Sequence, residues 1–472
     1  MVTDMSTPES IIADFIVNAK IPSDVRQTTR RYLLDWIGSA MAGSSKIPAQ
    51  SINNVINQLG GNPHSTIFSD GTKTSAAFAA FSNAASSHIL EMDDVDMGSI
   101  FHPAAPIIPT SLAIGEMLNI DGTQLLDAIA IGYEIGIRVG EALGTTHYEK
   151  WHTTGTAGTF GSAAATSRLL RLNTQETLSA IGSAGTMTAG LWEFLVDGAM
   201  SKQLHPAKAA HDGILAALLA QQNFTSASKI LTGQKGLIAA MSKSPSIDQL
   251  TSDLSATMKI WRISNVAFKI HASCFHTHSA VDAALYISQT HSFNITEVEK
   301  IEVQIYSQAL DLLQGVDPTT PYAAKFSLPF CIATALIHGD LSLGRFTEES
   351  LKEIQIEQLL KLITFESNAQ LDDAYPLDWP SIVKIFLKNG EVFEHKTDYP
   401  IGDARTNVSN QVLQEKFCSM TQEIKSFNSL DFSSKILLHT PPLSPHEIVN
   451  ELNLESSAQI KKVESMSNFN TQ

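Results

Sequence analysis

Apolar side chains recur at helical spacing in one segment after another through the first 265 residues, and this periodicity limits the fold more than any other feature. Thr7 is a typical helix N-cap, and Pro8 after it suits the first helical position. A second helical pattern follows Ser23 and ends near Gly43. Further helical patterns lie at 76–90, 125–137 and 156–170. The sequence therefore predicts a large all-helical domain that begins with residues 1–265.

Three glycines recur every four residues within one of these helical patterns. They are Gly132, Gly136 and Gly140, and their spacing leaves one side of the helix without side chains. Glycine weakens a helix by about 1 kcal/mol relative to alanine, so the repeat needs another physical reason. We expect the backbone of a neighbouring helix to pack closely against this face.

The character of the sequence changes near residue 266. Ile301, Val303 and Ile305 alternate with polar residues, as the residues of a half-buried strand do. Strand-like patterns also flank Asn389-Gly390, a dipeptide that favours the type I′ turn of a two-residue hairpin. Helices are expected between these strands, over 326–338 and 349–363.

The domain organisation follows from these patterns. Residues 266–404 are interpreted as a smaller α+β domain that is inserted into the helical one. Helical patterns return over 407–426 and 445–453, so residues 405–472 are expected to complete the first domain. The Ser-, Asn- and Lys-rich end from Glu455 is predicted to be frayed.

The charge balance excludes one large class of function. The chain has 472 residues, with 32 Lys and Arg against 48 Asp and Glu, which gives a formal net charge of −16. A general nucleic-acid binder needs a basic surface that displaces counterions, so no nucleic-acid partner is expected. An anionic substrate would need a local cluster of cationic side chains.

Cysteine use and apolar runs limit the cofactors and the location. Cys274, Cys331 and Cys418 lie far apart, so neither a disulfide framework nor a CxxC metal motif is available. The first residues resemble no signal peptide, and no apolar run approaches the roughly 18 residues that cross a bilayer. A cytoplasmic protein without a membrane partner is therefore expected.

A dense polar cluster lies between two of the helical patterns. It contains His88, Glu91, Asp93, Asp94 and Asp96, with His102 shortly after. Carboxylates and a histidine between apolar helices are costly to bury unless they pair or act chemically. Composition alone slightly favours a solvated loop that caps the next helix, and a Ca²⁺ loop would need a glycine and spaced oxygen ligands that are missing.

Two further clusters are glycine-rich and cationic, respectively. Residues 151–161 are typical of a helix N-terminus with small side chains, which can receive a carboxylate but can equally serve only to cap and pack the helix. Lys202, His205 and Lys208 follow at three-residue intervals, close to one helical face. That face could hold a polycarboxylate, although a solvated cationic surface is the default interpretation.

A fourth cluster lies at the change in character and contains Lys269, Cys274, His276 and His278. Two histidines two residues apart with a nearby cysteine are compatible with zinc, but a fourth ligand at a suitable spacing is missing. Metal binding is therefore the less favoured interpretation. None of the four clusters decides the function alone.

Together and in this order, the clusters give the chain a specific resemblance. The matching stretches are HILEMDDVDMGSIFHPAAPIIPTSLAIGE, WHTTGTAGTFGSAAATSRLLRL, DGAMSKQLHPAKAAHDGILAALLA, FKIHASCFHTHSAVDAA, AKFSLPFCIATALIHGD and IVKIFLKNGEVFEH. Over about residues 8–425 the chain resembles the MmgE/PrpD family of 2-methylcitrate dehydratase and cis-aconitate decarboxylase. An ordered set of this kind is far more specific than any single motif.

The resemblance implies a fold, an assembly and a chemistry. The fold is mainly α, with a large helical domain built from both chain ends and a smaller inserted α+β lid. The assembly is a homodimer that needs neither a metal nor an organic cofactor. The chemistry is proton movement or bond breakage beside a carboxylate of a small di- or tricarboxylate.

Residue roles come from the positions that match the family motifs. The resemblance implies a catalytic role for His102, Lys202, Lys269, His152 and Asp93. It implies a substrate-binding role for Glu91, Asp94, His205 and His278. It implies no metal ligand.

Three departures from the family pattern leave the substrate open. Many members have Asp-Phe-Asp-Asp-Thr where this chain has Glu91-Met-Asp-Asp-Val95. The tyrosine of animal cis-aconitate decarboxylases has no clear match near residue 312, and the longer loop of 2-methylcitrate dehydratases before the His102-Pro103 motif is missing.

The favoured activity is that of a cofactor-independent lyase of the 2-methylcitrate dehydratase type. Cis-aconitate decarboxylase is the alternative, and an epimerase of the iminodisuccinate type comes third. A non-catalytic polycarboxylate-binding protein is least favoured, because His102, Lys202 and Lys269 are all retained.

Overall fold

The computed structural model describes residues 6–424 and 427–452. Its helices are α1 (Pro8–Asn18), α2 (Ser23–Gly43), α3 (Ile47–Leu59), α4 (Ala76–His88), α5 (Ala104–Leu118), α6 (Gly122–Leu143), α7 (Thr145–Tyr148), α8 (Thr153–Leu169), α9 (Thr174–Met187), α10 (Phe194–Asp197), α11 (Leu204–Gln221), α12 (Leu237–Met241), α13 (His278–Thr290), α14 (Ser307–Leu313), α15 (Pro321–Ala324), α16 (Leu328–His338), α17 (Ile354–Leu360), α18 (Ala369–Asp372), α19 (Asn410–Thr421), α20 (Ser429–Leu438) and α21 (Pro445–Leu452). Its strands are β1 (Ser65–Thr66), β2 (Lys73–Thr74), β3 (Val298–Ile305), β4 (Ile363–Ser367), β5 (Ser381–Leu387) and β6 (Val392–Thr397). The prediction of a mainly α fold with a smaller α+β region is confirmed. None of the described helices combines the length and the apolarity needed to cross a membrane.

The described residues form two compact units, and each is built from more than one stretch of chain. The first unit comprises the residues up to Ile89, those from Ser99 to Val266 and those from Ser409 onward. The second comprises Leu90–Gly98 and Ala267–Val408. The polar loop at 90–98, which the sequence analysis left within the first domain, thus packs with the α+β region.

The core of the first unit forms around α8, which contacts α6, α11 and α5. A Cβ atom built on Gly132 would lie 2.5 Å from Cγ2 of Ile107 and 3.0 Å from the carbonyl oxygen of Gly161. One built on Gly140 would lie 2.7 Å from Cβ of Ser99. The predicted close packing of the glycine face of α6 is therefore confirmed.

The predicted start of α1 and the predicted end of α2 are also confirmed. The Thr7 hydroxyl accepts a hydrogen bond from the amide of Ser10 at 3.3 Å, and Pro8 opens the helix. Helix α2 runs from Ser23 to Gly43. Local capping chemistry decides the start of α1, so a single sequence is enough to predict that boundary.

The second unit contains a four-stranded sheet in the order β4-β3-β5-β6. Strand β3 runs parallel to β4 and antiparallel to β5, and β5 and β6 form a hairpin. Helix α13 contacts β5, β6 and α16. The predicted inward-facing residues of β3, Ile301, Val303 and Ile305, are buried.

The hairpin between β5 and β6 is confirmed, but its predicted turn type is wrong. Of the two central residues, Gly390 has a positive φ of 90° and Asn389 does not, whereas a type I′ turn needs both. The amide of Gly390 donates to the carbonyl of Leu387, and the amide of Leu387 donates to the carbonyl of Glu391. The connection is therefore a type I turn followed by a left-handed glycine, which is the three-residue form of the hairpin loop.

The helix predicted over 349–363 is also wrong in its extent. Helix α17 covers only Ile354–Leu360, and Ile363 instead begins β4, where it pairs with Ile301. After 404, α19 and α21 confirm helices within the predicted ranges, whereas α20 was not predicted. The predicted frayed end from Glu455 lies outside the described residues.

Candidate active site

Four histidines from separate parts of the sequence meet in the first unit. His88 ends α4, His102 precedes α5, His152 is the N-cap residue of α8 and His205 lies in the first turn of α11. The ring centroids are 5.0 Å apart for His88 and His102, 5.6 Å for His88 and His152, and 5.1 Å for His152 and His205. We call these four residues the histidine cluster.

A hydrogen bond between two imidazoles orders this cluster. Nδ1 of His152 lies 2.9 Å from Nδ1 of His205, so one ring donates and the other accepts. Nε2 of His152 is buried and has no hydrogen-bond partner among the residues that the structure describes. The indole of Trp192 packs against the same imidazole with 4.8 Å between ring centroids.

Burial and neighbouring charge keep two of these imidazoles neutral. Burial is the main cause that holds the pKa of His152 well below its ordinary value, followed by the influence of His205, His88 and Lys202. Burial, then His88 and Lys202, lower the pKa of His205 to about 3. Both rings are therefore neutral near neutral pH, and each can donate one hydrogen bond and accept another.

Lys202 supplies the buried cation beside the cluster. It lies in the short 3₁₀ turn Met200–Gln203 that precedes α11, and its side chain is only 2% exposed. The expected helical face of Lys202, His205 and Lys208 is therefore not formed by one continuous α-helix. The solvated surface that was the default interpretation is wrong for Lys202, because this residue is buried.

Lys208 and His211 do not join the histidine cluster. The ammonium group of Lys208 pairs with Asp212 at 2.5 Å. The ring of His211 stacks on Phe78 with 5.7 Å between centroids and also contacts Phe81. These residues have local partners that account for their positions.

The glycine-rich segment begins α8 and also packs it. The amide of His102 donates to the hydroxyl of Thr154 at 3.3 Å, so the first turn of α8 helps to hold this histidine. A Cβ on Gly155 would lie 2.4 Å from the carbonyl oxygen of Ala189. The small residues thus serve close packing, which was the bland interpretation of the segment, while the N-cap residue His152 belongs to the cluster.

In the second unit, the acidic loop surrounds a buried lysine. Nζ of Lys269 lies 3.1 Å from Oε2 of Glu91 and 3.8 Å from Oδ1 of Asp93, and all three residues are buried. Two backbone hydrogen bonds between Val95 and Ala267, 3.0 and 2.8 Å long, hold the loop beside the chain that carries the lysine. The solvated-loop interpretation is therefore wrong.

Two predicted residues of the second unit have different surroundings. Asp94 is buried within the same loop. His278 begins α13, and its Nε2 lies 3.3 Å from the carbonyl oxygen of Ser273. The ring of His278 packs at 5.0 Å from that of His271, whose Nε2 lies 2.8 Å from Oδ1 of Asp282.

Two buried polar residues of the second unit have partners that the sequence did not indicate: Lys325 had no predicted role, and His276 was considered only as a possible zinc ligand. Lys325 donates to the carbonyls of Leu90 and Ala272 at 3.1 and 2.6 Å and so holds the start of the acidic loop. His276 pairs with Tyr306. Lys325 lies in the AKFSLPF stretch and His276 beside His278, so their positions in matching motifs were the available signal.

The zinc interpretation of the fourth cluster gains no support from the geometry. Within residues 6–424 and 427–452, no group of three or more His, Cys, Asp or Glu side chains is arranged to hold a metal ion.

Buried, neutral histidines beside a buried lysine are typical of an enzyme site rather than of a structural core. Family models agree with this class. The model of the MmgE/PrpD N-terminal domain matches residues 10–250, and that of the MmgE/PrpD C-terminal domain matches residues 271–428. The chain belongs to the MmgE/PrpD family.

Similar proteins of known name fall into two groups. The cis-aconitate decarboxylase-like protein oryM of Aspergillus oryzae is 25% identical, over 85% of this chain and 88% of its own length. Human cis-aconitate decarboxylase is 24% identical, over 91% of this chain and 90% of its own length. The 2-methylcitrate dehydratase of Salmonella typhimurium is 26% identical, but over only 32% of this chain and 34% of its own length.

Proposed function

We propose that this protein is a lyase that acts on a small polycarboxylate by proton transfer beside a carboxylate, without an organic cofactor. The observation that carries the proposal is the histidine cluster with Lys202 beside it. A buried cation attracts an anionic substrate, and neutral imidazoles next to it can move a proton. This combination matches the chemistry named for both groups of relatives.

The chemistry needs fixed positive charge. Removal of a proton next to a carboxylate adds one negative charge to the substrate, whereas loss of CO₂ moves the charge of the departing carboxylate onto carbon. In both cases the electron pair spreads into the neighbouring carboxylate, and fixed positive charge stabilises this enolate-like state. We propose that Lys202, which lies in the first unit, binds a carboxylate of the substrate. Lys269 is proposed as a second substrate-binding cation, and Glu91 and Asp93 hold its ammonium group in place.

The proton steps are assigned to the histidine cluster. His102 is proposed as the acid or base at the reacting carbon, and His152 as its partner, because Nε2 of His152 is buried without a hydrogen-bond partner among the described residues. In a decarboxylation, the bond to one carboxylate breaks, CO₂ leaves, and the acid protonates the carbon that keeps the electron pair. In a dehydration, the base removes the proton and the acid protonates the leaving hydroxyl.

Between these reactions, we propose decarboxylation of the cis-aconitate type. The support is the share of this chain that aligns with each group of relatives. The decarboxylases align with 84–93% of the chain, and the dehydratases align with 32%. Dehydration of the 2-methylcitrate type, which the sequence analysis favoured, becomes the second candidate, supported by the shorter match alone.

The products of the purified protein test this proposal. We expect incubation with cis-aconitate to release CO₂ and to give the proton NMR signals of a five-carbon alkene dicarboxylate. Parallel incubations with 2-methylcitrate, citrate and iminodisuccinate should show slower turnover or none. Alkene formation from 2-methylcitrate without CO₂ release would favour the second candidate, and tight binding of one compound without any turnover would contradict a lyase.

A further inference from the structure

A buried histidine of the second unit lies outside the proposed machinery. His276 lies in the 3₁₀ turn Phe275–Thr277, and its Nδ1 is 2.5 Å from the hydroxyl oxygen of Tyr306. The indole of Trp379 stacks on the imidazole, with 4.2 Å between centroids and 12° between planes. All three side chains are almost completely buried. The ring is therefore held on one edge and one face.

The two ring nitrogens of His276 differ in their hydrogen bonding. Nε2 is buried and has no hydrogen-bond partner among the residues that the structure describes. Native proteins pair nearly all buried polar atoms, so an unpartnered one calls for an explanation, and a bound ligand is one such explanation. An imidazole that only filled space against Trp379 would not need this polar atom.

The contact with Tyr306 decides which nitrogen carries the proton. Burial and, secondarily, the charge of Lys269 lower the pKa of His276 to about 3, so the ring is neutral and holds one proton. A hydroxyl donor makes shorter contacts than an N–H donor, and 2.5 Å is below the usual N–H···O range. The distance favours the phenol as the donor to Nδ1, an arrangement that leaves the ring proton on Nε2.

We propose that Nε2–H of His276 donates a hydrogen bond to a carboxylate oxygen of the substrate, and that Tyr306 is a positioning residue that keeps the proton on Nε2. A neutral donor complements Lys269, because it binds an anionic oxygen without placing a further buried positive charge in the second unit. This inference rests on the proposed function and adds a substrate contact to it.

Two variants separate the two nitrogens. His276→Asn retains an amide near the position of Nδ1 for Tyr306 but removes Nε2, and we expect it to weaken binding of the non-reacting tricarboxylate tricarballylate about 10–100-fold in calorimetry. Tyr306→Phe removes the contact that keeps the ring proton on Nε2, and it should weaken tricarballylate binding less than His276→Asn does. His338→Asn, which changes a partly exposed histidine paired with Glu353, serves as the matched control and should bind as wild type does.

A spectroscopic readout keeps the test independent of binding. In nitrogen-15 spectra of histidine-labelled protein, the imidazole signal that disappears in His276→Asn is the signal of His276. We expect this signal to show a proton on Nε2 in the wild type and to change in Tyr306→Phe. A Nδ1–H pattern, or a folded His276→Asn that binds tricarballylate within about two-fold of wild type, would overturn the inference while the proposed function stands. Wild-type protein that neither binds tricarballylate nor converts any polycarboxylate would overturn both.

Discussion

At the scale of single residues, His152 and His205 share a hydrogen bond through the same ring atom, so only one of them can carry the proton on Nδ1. The tautomer of His205 therefore determines whether Nε2 of His152 is a hydrogen-bond donor or an acceptor. The resemblance gave His205 a substrate-binding role, whereas this contact indicates a role in orienting His152.

The two roles of His205 predict different kinetics. We expect His205→Ala to lower kcat about 10–100-fold with little change in KM, because an imidazole that loses its orienting partner is a poorer acid or base. His205→Asn, whose amide can replace Nδ1, should recover most of kcat. A large rise in KM for both variants, with kcat retained, would instead indicate direct substrate binding.

Buried histidines also predict the pH dependence of stability. Burial lowers the pKa of His147 to about 4, and those of His205 and His276 to about 3. Below about pH 6.5 the unfolded chain takes up protons that the folded chain does not, so the free energy of unfolding falls as the pH falls, by up to about 1.4 kcal/mol per pH unit for each group.

Urea unfolding at about pH 7, 6 and 5 measures this slope. His147 lies outside the histidine cluster, between the carbonyl of Met241 and the hydroxyl of Thr156, so His147→Asn should reduce the slope by roughly the share of one histidine. An unchanged slope in this variant would contradict the neutral state of His147.

At the scale of elements, the glycine face of α6 predicts an unusual response to alanine. Gly132→Ala should gain about 1 kcal/mol of helix propensity, but its Cβ would lie 2.5 Å from Ile107, so we expect a net loss of about 1–3 kcal/mol in the free energy of unfolding. Gly344→Ala, where a Cβ meets nothing within 4 Å, is the control and should be nearly neutral. Chemical denaturation of both variants tests this, and a stabilised Gly132→Ala would contradict the packing.

Elements decided by local chemistry could be predicted from the sequence, and elements decided by distant partners could not. The cap at Thr7 and the inward face of β3 depend on neighbouring residues and on periodicity. Ile363 was assigned to a helix because its strand exists only through parallel pairing with Ile301, 62 positions earlier in the chain. The turn at Asn389-Gly390 was predicted as a hairpin, but the flanking register selected the longer loop.

The candidate site divides in the same way. The motifs pointed to His102, His152 and Lys202 individually, but no sequence spacing brings His88 and His205 to the same cluster. His276 and Tyr306 are 30 positions apart in the sequence, with His276 in a 3₁₀ turn and Tyr306 directly after β3. Such contacts are products of tertiary packing, for which local patterns carry no signal.

At the scale of the whole molecule, we expect a homodimer, as the family resemblance implies. Light scattering coupled to size exclusion at micromolar concentration should give twice the 51.1 kDa mass of one chain. A mass of one chain that persists as the protein concentration is raised would contradict the dimer. This outcome would leave the assignments in the histidine cluster untouched, because His88, His102, His152 and His205 all belong to one chain.

The proposed mechanism depends on proton transfer by the histidine cluster, and the kcat of folded His102→Ala tests it most directly. Circular dichroism and the melting temperature of the same sample establish that the variant is folded, and proton NMR of the product gives the rate with the best substrate of the wild type. We predict that kcat falls about 10²–10⁴-fold with a smaller change in KM, as expected for the loss of a general acid or base. A folded His102→Ala variant with a kcat near that of the wild type would contradict the mechanism.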